Sequence, residues 1–166
     1  YFGIEVFNRT CERGIGKGLS ETHWDDILDR VGPTVGIATD DCHKVSEDAS
    51  AGWIMVRAES LELESILGAL ADGCFYSTQG PEFRDIRVEK ADTGPMIHVR
   101  CSPVKGVVFK GRTSSGSHVV GDNGQLITEA SHTCKGPEKY IRIELVDLLG
   151  NKAWSNPFFL AEMEAA

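Results

Sequence analysis

The hydrophobic pattern of this chain changes character once, at Gln79-Gly80-Pro81, and that change limits the folds open to it. Before it, strand-like runs alternate with helical stripes. "GIEVFN" (3–8) is rich in β-branched and aromatic residues and reads as a strand; the glycine-rich "RGIGKGLS" (13–20) after it reads as a flexible connection. Trp24, Ile27, Leu28 and Val31 recur at i, i+3, i+4 and i+7, the stripe of an amphipathic helix. Thr22 and Asp25 are spaced as a capping pair and Gly32-Pro33 supplies the stop. "TVGIAT" (34–39) predicts a strand buried on both faces, and "GWIMVRAE" (52–59) predicts another. Ser60 is placed to cap a helix carrying Leu63, Ile66, Leu67 and Leu70, ended by Gly73, and "CFYST" (74–78) follows as a short strand. Strands spaced by helices imply βα units in a largely parallel arrangement.

After Pro81 the helical stripes stop. "FRDIRVEKAD", "MIHVRCSP", "GVVFKGRT", "HVVGDN", "QLITEASHT", "YIRIELVD" and "KAWSNPFFL" are short alternating segments. Turn residues separate them: Asp92-Thr93-Gly94, Gly121-Asp122-Asn123-Gly124, Lys135-Gly136-Pro137 and Gly150-Asn151. This is how an antiparallel β-sandwich reads. The expected fold class is α/β followed by all-β: an α/β portion over 1–80, a β-sandwich over 81–161 and a polar tail over 162–166.

The net charge of −8 lies wholly in residues 1–80, which hold 14 acidic and 6 basic side chains against 11 of each afterwards. Phosphate backbones need clustered Lys and Arg, so nothing here argues for nucleic acid. An acidic excess suits a cation site and equally a solvated acidic face. The five cysteines (11, 42, 74, 101, 134) are odd in number and form no C-x-x-C pair, which fits reduced thiols in a cytoplasm. No apolar run nears the roughly 18 residues of a membrane helix, and no signal peptide is visible, so neither a membrane nor secretion is expected. The chain opens on "YFGIEVFN", without methionine and already strand-like; natural residues are expected upstream.

One stretch carries a chemical pattern. "VGIATDDCHK" (35–44) runs from an apolar strand into two aspartates, a cysteine and a histidine. On an extended segment Asp41 and His43 share one side, with Asp40 and Cys42 on the other. In parallel α/β architectures ligands gather at such carboxyl ends. A carboxylate with an imidazole suits Zn, Mn or Fe. The alternative is a surface turn in which Asp40 or Asp41 caps a neighbouring amide, and spacing alone leaves both open.

Taken in order, "GIEVFN", "WDDILDRVG", "VGIATDDCH", "GWIMVRAESLELESILGALADGCFYSTQGP" and "YIRIELVDLLGNKAWSNPFF" resemble the carboxyl-terminal part of a PHP-superfamily protein (polymerase and histidinol phosphatase), in its metal-dependent phosphoesterase branch. The resemblance implies that 1–80 is a segment of a partial (β/α) barrel and that the sandwich is an extension after it. It implies that Asp41 and His43 are the last D-x-H ligands of a divalent metal cluster (Zn, Mn or Fe), each on a different ion. Metal-activated water would then attack the phosphoester of a phosphorylated small molecule or nucleotide. Glu5 and Asn8, at a strand end, are candidates to support those ligands. The family's H-x-H, its middle histidines and its bridging glutamate have no counterpart in this sequence, and no catalytic residue is assigned. The expectation is therefore a fragment inactive alone, whose partner is the missing amino-terminal barrel segment, with exposed strand edges as a further route to association.

The remaining candidates have plainer readings. "GIGKGLS" lacks the phosphate-loop spacing. His23, His98, His118 and His132 are expected at the surface, Cys42 as a buried neutral thiol, and Trp154, Phe158 and Phe159 in the sandwich core. A competing function is a β-sandwich module binding carbohydrate, lipid or protein. An exposed row among Phe109, Tyr140, Trp154 and Phe158 would favour it, and their burial a packing role.

Overall fold

The structure, a computed structural model, describes residues 2–136 and 138–165; Tyr1, Pro137 of the expected turn and Ala166 lie outside it. The amino-terminal half contains β1 (Gly3–Asn8), α1 (Arg9–Ile15), α2 (Glu21–Arg30), β2 (Val35–Thr39), α3 (Val45–Asp48), β3 (Trp53–Val56), α4 (Leu63–Ala71) and β4 (Phe75–Thr78). There follow β5 (Phe83–Glu89), β6 (Met96–Val104), β7 (Gly106–Gly111), β8 (Gly116–Val120), β9 (Ile127–Thr133), β10 (Tyr140–Val146), β11 (Lys152–Ser155), β12 (Phe158–Phe159) and α5 (Leu160–Ala165).

β1 and β2 form a parallel pair. The order β3-β4-β11-β10-β7-β8 makes the large sheet, with β12 also on β10, and β5-β6-β9 makes a third sheet. The chain is thus a mixed α and β protein whose sheets are mainly antiparallel, and no barrel closes among the described residues. The parallel arrangement expected up to residue 80 holds only for β1 and β2. β3 and β4 pair antiparallel. A parallel crossover needs its helix packed across a sheet face, and α4 buries none of its residues. β4 in turn pairs with β11, so one sheet runs through both sides of residue 80.

β10 organises the packing because both of its faces are covered. Ile141, Ile143 and Leu145 meet Ile97, Val99 and Cys101 of β6 and Val107 and Phe109 of β7 in the sandwich core. Tyr140, on the opposite face, joins Trp154, Val6, Phe7, Trp24, Leu28 and Ala38 in a second core. The same face buries charge. Arg142 donates through Nε and Nη2 to Asp25 of α2 (2.6 and 2.8 Å), contacts Glu144 through Nη1, and lies 5.0 Å from the Trp24 ring. Burial would favour loss of its proton, but Asp25 and Glu144 more than offset that and raise its pKa. Lys152 and the Trp154 indole both donate to Glu21, and Lys139 donates to the Leu28 carbonyl at the end of α2. The expected Thr22–Asp25 cap does not form: the N-cap of α2 is Ser20, which makes no side-chain cap, and Asp25 bonds Arg142 instead.

Three further expectations change. Residues 13–15, the start of the connection expected over 13–20, instead end helix α1, because the Asn8 side chain caps the Cys11 amide and Gly16 closes the helix in the left-handed region (φ 63°). In β2 only Gly36 and Ala38 are buried; the Trp24 indole lies over Gly36, where a Cβ would stand 2.5 Å from it. Residues 162–165 of the segment expected as a polar tail belong to α5, whose Leu160 and Met163 enter the sandwich core. The strand edges are also less open than expected. Ser77 and Asn156 side chains bond the outer backbone groups of Gly36 and Ala38 on β2, and the 18–20 segment bonds Val6 and Asn8 on β1. No helix among the described residues is long and apolar enough to cross a membrane.

Candidate functional site

Parallel pairing sets Asn8 beside Thr39, so the carboxyl ends of β1 and β2 emerge together. There the sequence candidates meet. Asn8 Nδ2 donates to Glu5 Oε2 (3.1 Å) and to Asp41 Oδ2 (3.3 Å), while its Oδ1 accepts the Cys11 amide. Thr39 Oγ1 donates to the other Glu5 oxygen. Asn8 therefore ties a helix cap, Glu5 and Asp41 into one array.

The strand ends at Thr39, and the side-sharing expected from strand alternation is produced by a turn instead. Asp41 adopts φ 48°, a left-handed conformation that Asp tolerates better than most residues. His43 then folds back, with Nδ1 2.7 Å from the Asp41 carbonyl oxygen and 3.8 Å from Asp41 Oδ1. Thr10 Oγ1 donates to the same carbonyl. The backbone beyond is pinned by Asp48, whose Oδ2 accepts the His43 and Lys44 amides (3.1 and 2.8 Å) and which Arg13 approaches at 3.0 Å. The Lys44 amide holds the Asp48 carboxyl below the usual range, against burial and with help from the His43 amide and Arg13.

The two aspartates divide the two roles that spacing left open. Asp40 is the capping residue: its carboxylate accepts the amides of Ser50, Ala51 and Gly52 at 2.6, 2.8 and 2.8 Å. Burial pushes its pKa up, yet those donors hold it below the ordinary 3.8. Asp41 keeps Oδ1 clear of that array. Its side chain is 42% exposed and that of His43 69%. Cys42, expected to be buried, is exposed because the turn swings it outward.

The donor chemistry suits a divalent ion in part. A ligating histidine commonly commits one ring nitrogen to a carbonyl and presents the other; His43 Nδ1 is so committed, leaving Nε2 outward. Glu5 is turned into hydrogen bonds. Among the described residues, the ligand atoms that all fall within 4.8 Å of one another belong to a different group, His132, Cys134 and Glu138. A cleft of about 920 Å³ lies at the other end of β2, lined by Phe2, Val35, Arg57, Tyr76, Arg84 and Phe158 among others, with neither Asp41 nor His43.

The other histidines separate. His23 and His118 are exposed and His98 half-buried. His132 corrects its expectation: it is buried, stacked on Phe109 with ring centroids 5.2 Å apart. Its phase with Ala130, also buried, was the sequence signal for an inward side chain. Phe109, Tyr140 and Trp154 are buried and Phe158 packs half-buried on the sandwich core, so these aromatics form no exposed row. No family model, curated protein or solved structure compared with the chain matches it.

Proposed function

We propose that this chain is the carboxyl-terminal part of a cytoplasmic, metal-dependent phosphoesterase of the PHP type, with 1–80 contributing a segment of its (β/α) barrel. The observation that carries this is the array at the ends of the parallel pair, where Asn8 joins Glu5 to Asp41 and His43 presents Nε2 to solvent. Asp41 and His43 would each hold a divalent ion of a cluster (Zn, Mn or Fe), and Glu5 and Asn8 would orient Asp41. Such an ion supplies Lewis acidity, lowering the pKa of bound water and neutralising charge on phosphate oxygens.

Two donors are fewer than the three protein ligands usual for a catalytic zinc. The function therefore requires a further segment, the amino-terminal part of the barrel, to bring the remaining ligands and to bind the phosphorylated substrate. Among the described residues, an exposed apolar surface supports this. Leu61 is 96% exposed, and Leu63 and Leu67 of α4 are also exposed, although that helix is rich in apolar side chains. The test is Mn(II) binding followed by electron paramagnetic resonance on the chain joined to its natural upstream sequence. Signal loss on binding, abolished by Asp41→Ala with His43→Ala, is expected; binding unchanged by the double substitution contradicts it.

A further inference from the structure

A second cluster of ligand atoms lies in the sandwich, where β9 turns into β10. His132 and Cys134 are two apart and face the same way, and Glu138 returns to them after the turn. The Cys134 main chain is fixed from outside: its amide donates to the Pro95 carbonyl at 2.8 Å. Gly94, at φ 121°, passes so close that a Cβ there would stand 2.6 Å from the Cys134 carbonyl oxygen.

All three side chains are buried, Cys134 to 1% exposure. His132 Nδ1 lies 2.8 Å from Ser117 Oγ and Nε2 lies 3.0 Å from Glu138 Oε1, while Glu138 Oε2 accepts the Lys135 amide at 2.7 Å. Those hydrogen bonds account for the imidazole and the carboxylate but leave the Cys134 sulfur out. Among the described residues Glu138 forms its ion pair with His132, and no lysine or arginine side chain pairs with it. A dication beside these groups would neutralise the carboxylate and take the sulfur as thiolate.

We propose that His132, Cys134 and Glu138 form a zinc(II) site. Imidazole, thiolate and carboxylate together suit zinc rather than magnesium or calcium. Tetrahedral zinc sets its ligand atoms roughly 3.3–3.8 Å apart, and here all three lie within 4.8 Å of one another. Ser117 plays the positioning part: as acceptor from Nδ1–H it aims Nε2 at the metal, the outer hydrogen bond that ligating histidines usually make. Water fills the fourth position. On binding, the S–H bond of Cys134 breaks and its proton passes to solvent; the Nε2–H bond of His132 breaks as Nδ1 takes up a proton and turns to donate to Ser117; and the freed sulfur and Nε2 electron pairs form the bonds to zinc. The site is independent of Asp41 and His43.

The test uses the full chain carrying Asp41→Ala and His43→Ala, stripped with chelator and titrated with Co(II) alone. Tetrahedral d–d bands and a thiolate-to-cobalt charge-transfer band, saturating at one ion per chain and reversed by Zn(II), are expected. Cys134→Ser removes the charge-transfer band, Cys42→Ser keeps it, and Ser117→Ala weakens zinc binding about 10- to 100-fold. Absence of the charge-transfer band in the parent chain overturns the proposal without relying on any Cys134 variant folding. So does a band that survives Cys134→Ser or disappears in Cys42→Ser.

Discussion

The strand–helix unit and the sandwich each hold a histidine beside a carboxylate, and they hold it in opposite ways. At the end of β2, His43 and Asp41 stand in solvent on a turn braced by Asp40 and Asp48. At the β9–β10 turn, His132 and Glu138 are buried, with each ring nitrogen already engaged. The exposed pair has free donors and too few of them. The buried group has three donors close together. On the functions proposed, the first would await ligands from more protein and the second would be complete in its polypeptide donors.

Both regions hang on β10, so the largest expected effect comes from its buried cation. Arg142→Ala removes the partner of part-exposed Asp25 and one of the cations beside buried Glu144, which keeps Lys110 at 2.8 Å, and should cost about 3 kcal/mol in thermal or denaturant unfolding. It should also loosen α2 and β1–β2 to proteolysis before the sandwich. A cost under about 1 kcal/mol would show that the charged face is not what joins the two regions.

Next, the two histidine regions should differ in stability alone. Glu138→Ala, measured without metal, strands a buried imidazole and the Lys135 amide and should cost about 2–3 kcal/mol. His43→Ala should stay within about 0.5 kcal/mol. Equal costs in chemical denaturation would erase the distinction.

Asp40→Ala should cost about 1–2 kcal/mol, with faster amide exchange at Ser50, Ala51 and Gly52. The pH dependence has a definite sign. The folded pKa of Asp40 lies below 3.8, so its stabilisation is present above that value and is lost as pH falls through the lower folded one. Amide exchange that stays slow as acid titrates this carboxyl would refute the capping role.

The smallest effect concerns reactivity only. Exposed Cys42 should be alkylated first, while Cys101 and Cys134, both pushed up to about 11 by burial, should wait for unfolding. Mass spectrometry of the labelled chain reads the order directly. Early labelling of Cys134 in metal-free protein would show that its turn opens locally.

Most strands after Pro81 were legible because alternation and turn residues mark them, though "KAWSNPFFL", read as one segment, divides into β11 and β12; the buried stripe of α2 was legible in Trp24 and Leu28. The direction of β3 against β4 was not. Periodicity gives helix and strand but says nothing of whether a helix packs across a sheet, and α4 does not. The strand-end residues Glu5, Asn8 and Asp41 were recognisable from their place near an apolar run, though the division of labour between Asp40 and Asp41 needed the 50–52 loop. The Glu138 partnership was hidden for the same reason: a turn returns it to His132, and no short pattern encodes that return. Nor does anything in the sequence around Tyr140-Ile141-Arg142 announce that Arg142 is buried, because its compensation comes from Asp25, far away in the chain.

The proposed function is tested most directly by turnover. The chain, joined to the sequence encoded upstream of it and supplied with Mn(II) or Zn(II), should hydrolyse a phosphomonoester or phosphodiester such as a p-nitrophenyl ester. Asp41→Ala and His43→Ala should each lower that rate at least about 100-fold, close to 2.7 kcal/mol of barrier, without loss of folded structure. Hydrolysis that persists undiminished in both variants, or that never appears with metal bound, would contradict the assignment of this strand end to metal-dependent phosphoester chemistry.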